Sequence, residues 1–108
     1  MRYKSKRSRA CDISQEVKDR VWHRDHGRCV ICGHVGFPNA HYINRSHGGL
    51  GIEQNIVTLC PVCHEAYDNG NRKEEIKAKL QEYLCKQYEC WDESKLVYNK
   101  WGFLRFKN

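Results

Sequence analysis

The chain has 108 residues, of which 30% are charged and 40% hydrophobic, and a formal net charge of +6. That length fits one domain with a modest core that gains from a staple, and that apolar content excludes a wholly disordered chain. The N-terminal stretch holds no apolar run, which excludes a signal peptide or membrane span there and leads to the expectation of a cytoplasmic protein without a membrane partner.

Residues 1–12 read as a basic tail, because Arg2, Lys4, Lys6, Arg7 and Arg9 all precede the first acidic residue, Asp12. Such a segment is either solvated or an arm that orders on nucleic-acid phosphates. "SQEVKDRVWHRDH" reads as a helix, with Ser14 as N-cap and Glu16 in the first turn. Ile13, Val17 and Val21 recur at helical spacing, and Gly27 ends the element. "RCVICGHVG" is a tight cysteine turn. "AHYI" and "NIVTL" are short β-type runs on either side of the glycine-rich "NRSHGGLGIEQ", and "PVCHEAYD" opens a short helix on its proline. From Arg72 to Cys90 a longer amphipathic helix places Ile76, Leu80, Tyr83, Leu84 and Tyr88 on one face. Glu75 with Lys79, and Glu82 with Lys86, pair on its outside. "DESKLVYNKWGFLRF" ends the chain as a short helix and a tail folded back on the domain.

Seven cysteines are an odd number, which full internal disulfide pairing cannot satisfy, and closely paired thiols in a reducing compartment are more often metal ligands. Cys29-Val-Ile-Cys32 and Cys60-Pro-Val-Cys63 are two such pairs, with 27 residues between Cys32 and Cys60. Two knuckles complete a tetrahedral site, and four soft thiolates with no open position favour structural zinc over magnesium or calcium. Its binding free energy becomes folding free energy. The other readings of the four are a pair of redox dithiols or cysteines buried by coincidence; a rival ligand, His64 beside Cys63, is unnecessary with a full set of four. Cys11, Cys85 and Cys90 lack a partner at ligand spacing and read as ordinary thiols; His23, His26 and His34 belong to no constellation.

A zinc ribbon needs only its cysteines, yet this chain carries further polar residues at telling positions. His41 ends the first short strand, Asn55 begins the second, and His64 lies on the helix after the last knuckle. Strand, loop, strand and helix, held at one end by zinc, would gather the three side chains in a shallow groove. Asp68 follows His64 by four residues, so the two share a helix face and form a reasonable two-ligand site for a divalent metal. By itself, His41 beside Tyr42 and Ile43 reads better as a satisfied core histidine; Asn55 and His64 in place tip it toward a site.

The residues "CVIC", "AHYINRSHGG" and "IEQNIVTLCPVCH", with the helix leading into them, resemble the HNH endonuclease family in its four-cysteine zinc-binding form. The resemblance covers residues 13–70 and implies an α+β fold of the ββα-metal type, with residues 71–108 as a helical extension packed on the same domain. It implies that His41 is the general base that activates water, that Asn55 holds the loop and ring of that histidine, and that His64 binds the catalytic metal. Asp68 stands where some members have a further metal-binding histidine. Where many members place an acidic or histidine ligand immediately before the base, this chain has Ala40. The cofactors expected are structural Zn²⁺ and a catalytic Mg²⁺, Mn²⁺ or Ni²⁺. The expected partner is DNA, met by Arg45 and the basic tail. Small proteins of this family resemble those encoded by phages and mobile elements, which work beside packaging or other DNA-processing proteins.

The function expected is metal-dependent hydrolysis of DNA phosphodiester bonds, by nicking or double-strand cleavage. The alternative is a zinc-stabilised nucleic-acid-binding module without hydrolysis, for which Ala40 is the best support. A third reading is an adaptor that docks a partner through its C-terminal amphipathic helix.

Overall fold

A computed structural model describes residues 5–99. Arg2 and Lys4 of the basic segment, and Trp101 with the last apolar residues, lie outside the described residues.

The first element, α1 (Lys6–Cys11), is a helix where the sequence reads as a tail. Ser5 caps it by accepting from the Ser8 amide, and its last residue, Cys11, is buried. A six-residue helix with no acidic first turn has little stability of its own. It is held from outside: Arg7 donates to the carbonyl of Ser46 at 3.0 Å, Arg45 pairs with Asp12 at 3.0 Å, and the Gly51 amide donates to the carbonyl of Ala10 at 3.0 Å. Gly51 permits this approach, since a Cβ there would lie 2.0 Å from the Asp12 carbonyl oxygen.

Helix α2 (Gln15–Asp25) starts on Ser14, whose hydroxyl accepts from the Val17 amide, and stops at His26 and Gly27, both at positive φ. Strands β1 (Phe37–His41) and β2 (Ile56–Leu59) pair antiparallel, with His41 opposite Ile56, Ala40 opposite Val57 and a bulge between Ala40 and Phe37. A single turn of 3-10 helix, Arg45–His47, lies in the connection between them.

The first strand ends at His41 rather than running to Ile43. Beyond that point the Asn55 side chain takes over the role of a neighbouring strand: its Oδ1 accepts from the Ile43 amide at 2.9 Å, and its Nδ2 donates to the carbonyls of Ile43 and Leu50.

Side chains of β2 alternate between two faces. Ile56 packs with Val17 and Val21 of α2, whereas Val57 and Leu59 join the main core. That core is completed by Ala40, Tyr42, Tyr67 of α3 (Pro61–Asp68) and Ile76, Leu80 and Leu84 of α4 (Lys73–Gln87), with Leu96 behind a 3-10 turn at Glu93–Lys95. Both sheet faces are therefore covered, and all four residues of β2 are buried.

One charge is buried at the junction. Asp25 sits on the Val17–Val21 stripe of α2 and accepts from the Arg24 guanidinium, the Thr58 amide at 3.0 Å and the Tyr83 hydroxyl. Arg24 also donates to the carbonyls of Glu53 and Ile56 and to the Tyr88 hydroxyl. The pair ties α2, β2 and α4 together through groups that satisfy it. The result is a small α+β domain. Among the described residues no helix is long and apolar enough to cross a membrane.

Candidate functional site

The two cysteine pairs converge. In the first knuckle the Cys29 amide donates to the carbonyl of His34 and Gly33 closes the turn on the carbonyl of Cys29. In the second, Cys60 is the N-cap of α3, with Pro61 in the first turn and the Cys63 amide pointing at the Cys60 sulfur at 3.4 Å. The four sulfurs lie within 4.8 Å of one another, and Cys32 Sγ is 3.5 Å from Cys60 Sγ. Tetrahedral coordination at a metal–sulfur distance of about 2.3 Å separates sulfurs by about 3.8 Å, so the cluster could hold a metal ion with little adjustment.

Burial raises the Cys63 thiol, and its neighbouring thiols add to that. At Cys29 burial also opposes ionisation, but backbone hydrogen bonds from Cys60, Cys32 and Ile31 outweigh it and bring the thiol down to about 7. Cys29, Cys60 and Cys63 are buried, whereas Cys32 is exposed and has His34 Nδ1 at 3.2 Å from its sulfur. The spacing of the sequence carries no signal for that histidine, because its reach depends on the curl of the turn.

A second site lies beside the C-terminal half of α3. It is an open cleft of about 400 Å³, with His41, Asn44 and Arg45 on one side and His64 and Asp68 on the other. His64 Nε2 and Asp68 Oδ2 are 3.1 Å apart, one helical turn from each other on α3. His41 is half-buried at the end of β1, with Nε2 at 2.9 Å from the carbonyl oxygen of Cys11. A carbonyl only accepts, so this contact places the ring proton on Nε2 and leaves Nδ1 as the proton acceptor. Burial pushes the His41 pKa below its ordinary value; the Cys11 carbonyl works the other way, and the Arg45 charge adds to the lowering.

Not all the sequence candidates meet in this cleft. Asn55 is fully buried and frames the loop from behind, so its amide spans Ile43 and Leu50 instead of facing the groove. The His41 ring is held by α1 rather than by Asn55. Ala40 is buried in the core cluster, so both candidate metal ligands of the cleft come from α3. Arg45 lines the cleft while pairing with Asp12, and Arg7 is engaged with the Arg45 and Ser46 carbonyls. Lys6 and Arg9 are exposed on α1. Among the described residues, the four cysteines are the group of three or more close metal-ligating side chains.

These features define a small α+β domain with a four-cysteine cluster and an adjoining histidine cleft. No protein-family model matches the chain. It is 34% identical to anaredoxin of Nostoc sp. over 64 residues, which span 57% of this chain and 84% of that protein. By that measure the chain belongs to the family of anaredoxin.

Proposed function

We propose that the protein is a metal-dependent endonuclease of the HNH type, with zinc as the structural ion of the cysteine cluster. The observation that carries this reading is a histidine of fixed tautomer facing the same cleft as a histidine–carboxylate pair. A core histidine has no need of that partner across a cleft. The nitrogen–oxygen pair of His64 and Asp68 suits a divalent cation that completes its shell with water and substrate phosphate. Such an ion, when bound, supplies positive charge at the scissile phosphate and at the leaving 3′ oxygen.

The residues of this chain do the rest. His41 Nδ1 takes a proton from the attacking water, while Cys11 keeps the ring oriented by holding Nε2–H. The lowered pKa keeps the ring neutral, and so able to accept a proton, near pH 7. Asn44 and Arg45 lie along the cleft edge where phosphate oxygens need donors. DNA is the substrate this reading names; a host cell or phage system of DNA-processing proteins is its natural setting.

Plasmid nicking by the zinc-loaded protein tests this, with EDTA, Mg²⁺, Mn²⁺ and Ni²⁺ in turn. His41→Ala should lower a metal-dependent rate by about 10²–10⁴-fold. Absence of nicking with every metal, with DNA binding retained, would instead support a zinc-stabilised nucleic-acid-binding module.

A second reading places the function in the cysteine cluster itself. Exposure of Cys32 and the name of the Nostoc relative favour it, since four thiolates also accept redox-active iron. Metal analysis and visible absorption of freshly purified protein separate the two, because zinc thiolates are colourless and iron thiolates are not.

A further inference from the structure

Two large aromatic side chains are left in solvent on the same side of the molecule. Trp22 of α2 is 48% exposed and Phe37 at the start of β1 is 53% exposed. Both line one open cavity of about 450 Å³, within the range of small-molecule sites, together with Gln15, Lys18, Asp19 and Asn39. The indole is held in place: a Cβ at Gly27 would lie 2.8 Å from three of its atoms, and the His23 ring meets it edge-on at 5.4 Å.

Asn39 lines this cavity and also the His41 cleft, so the two adjoin at that residue of β1. At about 3.3 Å per residue, Phe37 and His41 are separated by roughly 13 Å of strand, the reach of one or two nucleotides.

We propose that this cavity is a stacking subsite for an unpaired nucleobase, lying one or two nucleotides from the phosphate held in the His41 cleft. The inference deepens the nuclease reading and rests on it. Trp22 and Phe37 supply the ring faces. Gln15 and Asn39 supply amide groups for a base edge; the Asp19 carboxylate is engaged by the Gln15 amide at 2.9 Å. Lys18 has no carboxylate partner among the described residues and is placed for the adjoining phosphate. Stacking tolerates every base, so the subsite selects single-stranded, frayed or flipped nucleotides over closed duplex rather than a particular sequence.

The test compares two labelled oligomers on the metal-loaded full chain with no second metal added, by fluorescence anisotropy. One is an eight-nucleotide thymidine strand and the other an abasic strand of equal length and charge. The bases should tighten binding by about tenfold or more in the wild type. Trp22→Leu and Phe37→Ala should each reduce that increment while leaving affinity for the abasic strand unchanged. Phe37 is half-exposed at a strand start, so its variant keeps the test valid if Trp22→Leu folds poorly. Equal binding of both strands by the wild type overturns the stacking role, as does an increment that survives both substitutions. Plasmid nicking measured in parallel reports separately on hydrolysis: nicking without a base increment overturns the subsite alone, and an increment without nicking overturns the nuclease reading alone.

Discussion

The two ends of α3 carry sites built on opposite principles. At its N-terminus Cys60 and Cys63 belong to a cluster that is self-contained, mostly buried and specified by two short turns. One and five residues past Cys63, His64 and Asp68 belong to a cleft that is open and assembled with β1, the loop after it and α1. A site made of local turns forms wherever the turns form. A site made of distant segments depends on everything that holds them, here the Asn55 clasp and the α1 contacts.

The sharpest way to break this contrast is to disable the cysteine cluster as a metal site. Under the zinc reading, Cys60→Ser or chelation should abolish the cooperative thermal transition followed by circular dichroism, because structural zinc contributes about 10–16 kcal/mol to zinc-finger peptides. A cleft that retained its geometry in the apo protein would mean that the helical core alone supports it.

Next comes Asn55→Ala, which leaves the Ile43 amide and the Leu50 carbonyl unpaired. Buried polar groups left without partners cost about 1–3 kcal/mol each. Urea unfolding should show a loss of about 3 kcal/mol with the metal stoichiometry of the cluster unchanged. Equal loss of metal would show that the two ends of α3 are one unit.

A smaller effect lies in pH. The folded-state pKa of His41 is depressed, so the unfolded chain takes up the proton first, at its ordinary value of about 6.5. Stability is therefore complete above that value and is lost as pH falls through the depressed one. Wild type should lose more stability than His41→Gln between about pH 7 and pH 5.5. Under the nuclease reading, nicking should stay level above neutrality and decline only on the acid side. Smallest of all, Lys86→Ala removes a 3.6 Å pair with Glu82 whose side chains are 74% and 70% exposed. It should change stability by no more than about 0.5 kcal/mol.

The same contrast explains what the sequence makes legible. Two C-x-x-C pairs are local signals, and the sulfurs do converge. Ser14, Gly27 and Pro61 mark the ends of α2 and α3 through capping chemistry that acts within a few residues. Helix α1 is not legible, because Arg7, Asp12 and Ala10 find their partners more than thirty residues away. Asn55 is identified as a loop-holding residue by the resemblance, but its depth is set by the pairing of β1 with β2. The Asp25–Arg24 junction had a signal that periodicity offers: Asp25 continues the Val17–Val21 spacing, so a carboxylate on that stripe requires buried partners.

Helix α1 also has a consequence for the order of events during synthesis. It leaves a ribosome before its docking surface, the turn at Arg45–His47 and Gly51, which follows some forty residues later. Domains assemble as their distant contacts become available, and closing long loops is slow. The ring of His41 therefore acquires its Cys11 partner after the strand that carries it has emerged. A nascent chain holds the residues of the cleft before it holds the cleft.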